Sequence, residues 1–448
     1  MSEKENKAMK RAFAIILAAM LLLPLAACRG KGQAPAEVTD TDAPSAASDA
    51  SDPQTDYANL YGGLTQDDIV ETEDAFYWHQ TDNDYLYYCD KASGESGVLC
   101  PRPECEHDAV EHNTDCSGYI GNTVNPSLSY YRGKLYWIGY YGYTMRNMAV
   151  FCMDPDGTNR EKVRDITPEH DYYGYKYYFH RGYIYYYRLD SVVDGGKYAS
   201  AFTVARVPID SEELETIYYT KSHYVILGTL RFRGDETFIY IRRDNGDENT
   251  EPEEVEDLKT YIEILRWTPG MAEAECYCRI DDAQPMINTN AFSITADGSM
   301  YFETAAALTA SDTDEELEYK VCRLDPDGKV TELFGFEDEE TKYYINCITD
   351  SAVIAKTGSA SALFTQPVWI KDLNGKTLFK GDIPLDIGSD PLNGQIASAG
   401  IRILSVSRDS ILGVVVTRYG TEEKNTHYRL VNYTITDAGA VPAVLCES

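Results

Sequence analysis

The sequence predicts an all-β protein, a β-propeller preceded by an export signal and a flexible stalk. Three observations lead there. A strand–turn–strand segment recurs along the chain, with units about 48 to 62 residues apart. The chain carries 36 tyrosines in 448 residues, and aromatic residues favour the pleated, half-buried environment of a strand. Long helical patterns are missing between the repeats.

The segment YYRGKLYWIGYYGYTMRNMAVFCMDPDGTNREKV (130–163) sets the template. A turn at Arg132-Gly133-Lys134 leads into the aromatic strand LYWIGYY. A second strand, MAVFCMD, is followed by the turn Pro155-Asp156-Gly157-Thr158 and a last short strand. Asp and Gly at such positions supply the left-handed backbone geometry that tight turns need.

The template recurs on both sides. TEDAFYWHQTDNDYLYYCDKASGESGVL (72–99) comes before it. Five further copies begin at RGYIYYYRLD (181–190), RGDETFIYIRRDNG (233–246), ADGSMYFETA (296–305), TDSAVIAKTG (349–358) and SRDSILGVVVTRYG (407–420). Self-similarity at this period, with several strands per unit, signals a propeller. The expectation is therefore seven blades, with six as the alternative, over residues 57–448. A two-domain β-sandwich protein is the competing architecture. The acidic run DNGDENTEPEEVEDLKT (244–260) reads as an exposed insertion between strands.

At GKLYWIGYYG and VFCMDPDGTN the chain resembles the YWTD-type propeller of low-density-lipoprotein receptors. It is more similar still to a family of Gram-positive bacterial surface lipoproteins of unknown function that carry such a domain. The match is good over 130–163, fair at 181–190 and 298–333, and weak elsewhere. The receptor propellers have six blades, against seven units counted here. The resemblance implies a fold and a surface location and supplies no catalytic residue.

The N-terminus explains where such a domain would work. Lys4, Lys7, Lys10 and Arg11 precede an apolar run from Ala12 to Ala27. That length suits an export signal and is short for a spanning helix. The run ends in Leu25-Ala26-Ala27-Cys28, which looks like a bacterial lipobox. The expectation is a signal peptide at 1–27, lipid attachment at Cys28 and a flexible, lipid-anchored linker at 28–56. The linker is dominated by Ala, Ser, Asp, Pro and Thr, with Val38 as its only large apolar residue, so it cannot offset its ordering entropy by burial. Such a chain would be extracytoplasmic, anchored to the membrane through lipid and otherwise soluble.

Charge narrows the partners. The formal net charge is -33. Loss of residues 1–27, with four basic and two acidic side chains, moves it to about -35. This argues against nucleic acid and against direct adhesion to anionic lipid.

The stretch LCPRPECEHDAVEHNTDC (99–116) is unlike the rest of the chain. Cys100, Cys105, His107 and Cys116 have the composition of a tetrahedral zinc shell, three thiolates and an imidazole. Cys105 and His107 are two apart, so both side chains point the same way in an extended segment. Disulfides within the cluster are the main alternative, since exported proteins pair their cysteines, and a redox or catalytic thiol is the third. Cys89 is an extra cysteine that could pair with Cys100 or another member. The lipoprotein family named above often carries a similar Cys…Cys-x-His…Cys element after its first repeat. Either chemistry would staple a loop, at 99–120, that has no core of its own. Cys152, Cys322 and Cys347 fall within expected strands, where a lone thiol acts as a small apolar residue.

Tyr172, Tyr173 and Tyr175 precede an aromatic strand and are candidates for ligand contact at a propeller mouth. Alternation along the strand that follows would put about half of its tyrosines in the core. Asp154-Pro155-Asp156-Gly157 and Asp325-Pro326-Asp327-Gly328 fit hairpin turns, since a calcium loop of the EF-hand type places its Gly sixth. The sequence contains no G-x-S-x-G, H-E-x-x-H or glycine-rich phosphate loop. These features favour a non-enzymatic surface module that binds, or scaffolds, a protein, peptide or glycan. The rival is a propeller lyase or hydrolase acting on polysaccharide.

Overall fold

The structure is a computed structural model. It describes Asp56 and residues 68–447, apart from 81–82, 108–115, 122, 124–126, 142–146, 167–175, 195–196, 212, 223–224, 245–259, 282–290, 308–316, 339, 359–363, 386–395 and 420–425. The expected export signal (1–27), Cys28, all of the expected linker (28–56) but Asp56, and Tyr172, Tyr173 and Tyr175 therefore lie outside the described residues. So does the acidic run, apart from its end residues Asp244 and Thr260.

Every repeat forms a four-stranded antiparallel sheet, and seven sheets make a seven-bladed propeller. Blade 1 is β1 (Asp68–Glu71), β2 (Ala75–Gln80), β3 (Tyr85–Asp90) and β4 (Ser96–Val98). Blade 2 is β5 (Ser129–Tyr131), β6 (Lys134–Tyr141), β7 (Asn147–Met153) and β8 (Glu161–Ile166). Blade 3 is β9 (Tyr177–His180), β10 (Tyr183–Asp194), β11 (Lys197–Pro208) and β12 (Glu215–Ser222). Blade 4 is β13 (Val225–Arg233), β14 (Glu236–Asp244), β15 (Thr260–Trp267) and β16 (Glu275–Asp281). Blade 5 is β17 (Phe292–Ile294), β18 (Met300–Ala307), β19 (Leu317–Leu324) and β20 (Val330–Gly335). Blade 6 is β21 (Tyr344–Ile348), β22 (Ala352–Lys356), β23 (Thr365–Asp372) and β24 (Thr377–Pro384). Blade 7 is β25 (Ile396–Val406), β26 (Ser410–Tyr419), β27 (Thr426–Thr436) and β28 (Gly439–Glu447). No helix occurs among the described residues, and so none long and apolar enough to cross a membrane.

Within each sheet the strands pair in chain order, inner to outer. The inner strands line the axis: β1 lies beside β5, β5 beside β9, β13 beside β17, β17 beside β21, and β21 beside β25. The pairing of third and fourth strands slips at one bulge in each of blades 2 to 7. A bulge sharpens the local twist, and here it does so at the outer edge of the blade.

The core is seven interfaces rather than one centre. Each hydrophobic cluster is shared by two neighbouring blades. Tyr177, Ile184 and Tyr186 of blade 3 pack on Ile138 and Val150 of blade 2. Tyr178, Tyr185 and Tyr187 pack on Ile239, Ile241 and Trp267 of blade 4. Alternation along the strand sends successive rings to opposite neighbours. This corrects the expectation that half of these tyrosines would be core residues. Tyr185, Tyr186 and Tyr187 are all buried, at 2%, 3% and 1% exposure, because a propeller blade has a neighbour on both faces.

The last interface joins the two ends. Ile69, Phe76, Trp78 and Cys89 of blade 1 pack on Leu404, Leu412, Val414, Leu430 and Cys446 of blade 7. No strand crosses that boundary, since each of the seven sheets uses four consecutive strands. The ring is closed there by side chains, with β28 beside β3 and β4.

Candidate metal centre and axial pocket

The Cys/His loop leaves blade 1 after β4 and is pinned before it reaches blade 2. Leu99 N–H donates to the Leu86 carbonyl (2.8 Å), and Cys100 N–H to the Val98 carbonyl (2.8 Å). On the return, Leu86 N–H donates to the Gly118 carbonyl (2.8 Å), and Ile120 N–H to the Asp84 carbonyl (3.1 Å). Gly118 is required by this closeness: a Cβ there would stand 2.8 Å from the Leu99 carbonyl oxygen. Thr123 bridges to Gly139 of blade 2, and its hydroxyl sits 3.2 Å from His79 Nδ1.

This framework gathers Cys100, Cys105, His107 and Cys116. One ligand atom from each lies within 4.8 Å of all the others. Bonds of about 2.0–2.3 Å in a tetrahedral shell set donor atoms about 3.3–3.8 Å apart, so the cluster needs only a small contraction to close on a metal. His107 Nδ1 and Cys116 Sγ already stand 3.7 Å apart. His107 holds a left-handed backbone at φ 49°, an uncommon conformation for a side chain other than glycine. Cys116 is fully buried, while Cys100, Cys105 and His107 are half-buried.

The surroundings suit anionic sulfur. The Arg102 guanidinium donates to Cys105 Sγ (3.7 Å), and the Cys105 N–H returns to the Arg102 carbonyl (3.1 Å). Burial pushes the Cys100 thiol up, but hydrogen bonds from the Arg102 backbone and from the Cys116, Ser117 and Arg102 side chains outweigh it and hold the thiol at about 7. Burial and the bond to Cys100 push Cys116 up to about 12. Without metal, then, Cys100 gives up its proton first, and Cys116 keeps its own beside it. Zn²⁺ with three thiolates carries one net negative charge, which Arg102 is placed to offset.

Blade 2 buttresses the loop. The Arg160 guanidinium donates to the carbonyls of Tyr119 (2.6 Å) and Cys116 (3.5 Å). Gly157, at φ 81°, lets the β7–β8 turn approach: a Cβ there would stand 2.9 Å from the Leu99 carbonyl oxygen. That turn reads as expected from Asp154-Pro155-Asp156-Gly157, with Gly157 N–H on the Asp154 carbonyl (2.9 Å). The corresponding turn of blade 5 repeats the bond between Gly328 and Asp325 (2.9 Å).

The sequence leaves Cys89 as an extra cysteine that could pair with Cys100 or another member of this cluster. The structure places it on β3, facing blade 7, with its Sγ 2.8 Å from the Leu445 carbonyl oxygen. Cys152, Cys322 and Cys347 are buried in β7, β19 and β21.

A second feature was not legible in the sequence. The ends of the inner strands of blades 4 to 7 meet around a cavity of about 320 Å³. Its lining includes Arg231, Phe232, Ser293, Thr349, Asp350 and Ser405. Arg231 is held by the Phe292 carbonyl (3.0 Å) and the Thr229 hydroxyl (2.6 Å). The Thr349 hydroxyl donates to the Val406 carbonyl (2.8 Å). The pocket lies at the end of the ring where first and second strands turn. Asp56 is tied at the same end: Arg181, in the β9–β10 turn, bonds both Asp56 (2.6 Å) and Asp235 (2.7 Å) of the β13–β14 turn.

No family model matches the chain, and no curated protein does. Among solved structures it is similar to the β-propeller domain of the Trilobed protease from Pyrococcus furiosus, described as having an open velcro topology. That match has 11% identity over 84% of this chain and 96% of that one, with a TM-score of 0.42. A Pyrococcus horikoshii acylaminoacyl peptidase matches at 11% identity over 70% of this chain and 50% of the other, TM-score 0.34. A cobalt-substituted Synechocystis ACO matches at 9% identity over 72% and 74%, TM-score 0.37. At these values none of their activities carries over.

Proposed function

We propose that this protein is an extracytoplasmic lipoprotein, anchored through Cys28, whose propeller is a non-enzymatic binding or scaffold module for a protein, peptide or glycan. The observation that carries the reading is the axial pocket. It combines hydroxyls, one carboxylate, one guanidinium and phenylalanine rings, drawn from four blades. Such a lining offers hydrogen-bonding and charged groups to a polar ligand such as a sugar or a peptide side chain. Anchoring rests on the lipobox-like sequence and on the stalk composition. The loop at 99–120 carries a structural zinc on Cys100, Cys105, His107 and Cys116. Four protein ligands close a tetrahedral shell, leaving no open position for substrate.

The test is a binding screen of the detergent-solubilised full-length lipoprotein on glycan and peptide arrays. Binding should be weakened at least tenfold by Asp350→Asn or Arg231→Met. The same preparation, incubated with envelope polysaccharides, should release neither reducing ends nor unsaturated uronate. Release of either product would replace this reading with the polysaccharide-active enzyme.

A further inference from the structure

Six of the seven boundaries between blades are crossed by the chain itself, through the segment that joins an outer strand to the next inner strand. The seventh, between blade 7 and blade 1, has no such crossing and no shared strand. An open cleft of about 400 Å³ also runs along it, with Glu71, Phe76 and Lys91 on one side and Ser405, Asn432 and Leu445 on the other. At this boundary two cysteines face each other. Cys89 Sγ lies 2.8 Å from the Leu445 carbonyl oxygen, next to Cys446. Cys446 Sγ lies 4.0 Å from the Tyr88 carbonyl oxygen, next to Cys89. Each sulfur thus reaches the peptide that precedes the other cysteine. Both side chains are buried, at 3% exposure each, in the same cluster.

We infer that Cys89 and Cys446 form a disulfide that closes the ring covalently. In the reduced form each thiol turns to a carbonyl. Oxidation removes both hydrogens and joins the sulfurs at about 2.05 Å. Two thiols lose two electrons and two protons to an external disulfide, which becomes two thiols, so the exchange balances. In the cell the external disulfide that accepts the electrons belongs to a thiol–disulfide oxidoreductase of the envelope, and that part rests on the export reading above. The link spans almost the whole propeller, and long loops lose the most unfolded-state entropy on closure.

The experiment refolds the full chain from urea in a glutathione–glutathione disulfide buffer with zinc present, blocks remaining thiols with an alkylating reagent, and maps peptides by mass. The expected result is one linked peptide pair containing Cys89 and Cys446, with both absent from the alkylated set. Addition of reductant should lower the urea midpoint by about 1 M. Cys446→Ser should start at the reduced midpoint and ignore reductant, while Cys276→Ser keeps the response. Recovery of Cys89 and Cys446 both alkylated, or of Cys89 linked to Cys100, Cys105 or Cys116, would overturn the inference. If Cys446→Ser fails to fold, the peptide map of the unaltered chain still decides. Fatty-acid labelling at Cys28 is scored separately. A chain that forms the link in vitro but carries no lipid in the cell defeats the export reading and leaves the pairing intact.

Discussion

Arg160 of blade 2 donates to the Tyr119 carbonyl at 2.6 Å and so ties the Cys/His loop of blade 1 to its neighbour. A charged donor on a backbone carbonyl contributes about 1.5–3 kcal/mol when buried, and less toward solvent. Arg160→Ala is expected to raise hydrogen exchange at Tyr119 and Ile120 and to lower metal affinity a few-fold. The far blades should be unchanged. Exchange at 116–120 equal to that of the parent protein would show that the buttress contributes nothing.

The metal itself is checked directly. The folded protein should carry about one equivalent of zinc, bound at about 2.0–2.3 Å by three sulfurs and one nitrogen. A chelator should loosen 99–120 while the blades keep their strand signature. Cys105→Ser should cut metal content and leave the ring folded. A metal-free, fully oxidised cluster would make disulfides the staple instead.

Acid should release that metal, because thiolate ligands compete with protons. In the chelated protein, Cys100 is held at about 7 and Cys116 at about 12. Alkylation of Cys100 should therefore be half-maximal near pH 7, with Cys116 inert at that pH. The Cys100 shift is downward, so its contribution to stability is present above its unfolded value and lost as pH falls through about 7. Equal alkylation rates at the two positions across pH 6–9 would refute the assignment.

Two buried histidines predict a second acid effect. Loss of solvation pushes His79 down to about 4. Burial also leads at His180, which falls to about 4 despite the Gly234 carbonyl that favours its charged form. Both are protonated in the unfolded chain below about pH 6.5 but not in the fold. Stability is thus full above pH 6.5 and declines as pH falls toward 4, by about 3 kcal/mol for each group. The urea midpoint should drop between pH 7 and 4.5, and His79→Leu should show a smaller drop. A midpoint independent of pH over that range would contradict both burials.

Anchoring is tested by labelled fatty acid. Cys28→Ala should abolish incorporation and either release the protein or leave it unprocessed. Equal labelling of both forms would remove the lipoprotein reading.

The blades were legible because each repeat carries its own turn chemistry. Gly133, Gly157, Gly182, Gly298, Gly328 and Gly375 all take positive φ at turns that recur in the sequence. The Cys/His cluster was legible because its four side chains sit within seventeen consecutive residues, 100–116. What stayed hidden is assembled across repeats. Arg231, Ser293, Thr349 and Ser405 each read as an ordinary strand end, and only the ring brings them to one pocket. Cys89 was read with its sequence neighbours, yet β3 turns it toward a residue at the far end of the chain. Local pattern encodes a blade, whereas contacts between blades depend on closure.

That closure has a further consequence. Because each blade uses four consecutive strands, the path from β28 back to β1 would be the same outer-to-inner step as the connection at any other boundary. The propeller is, in effect, a cycle that has been cut once, and its ladder of strand pairs does not record where. A gene permuted to begin at Ser129 or Phe292, with its original ends joined by a short linker, should rebuild the same seven sheets without losing a backbone hydrogen bond. Which blade comes first is thus a matter of genetic order rather than of folding physics.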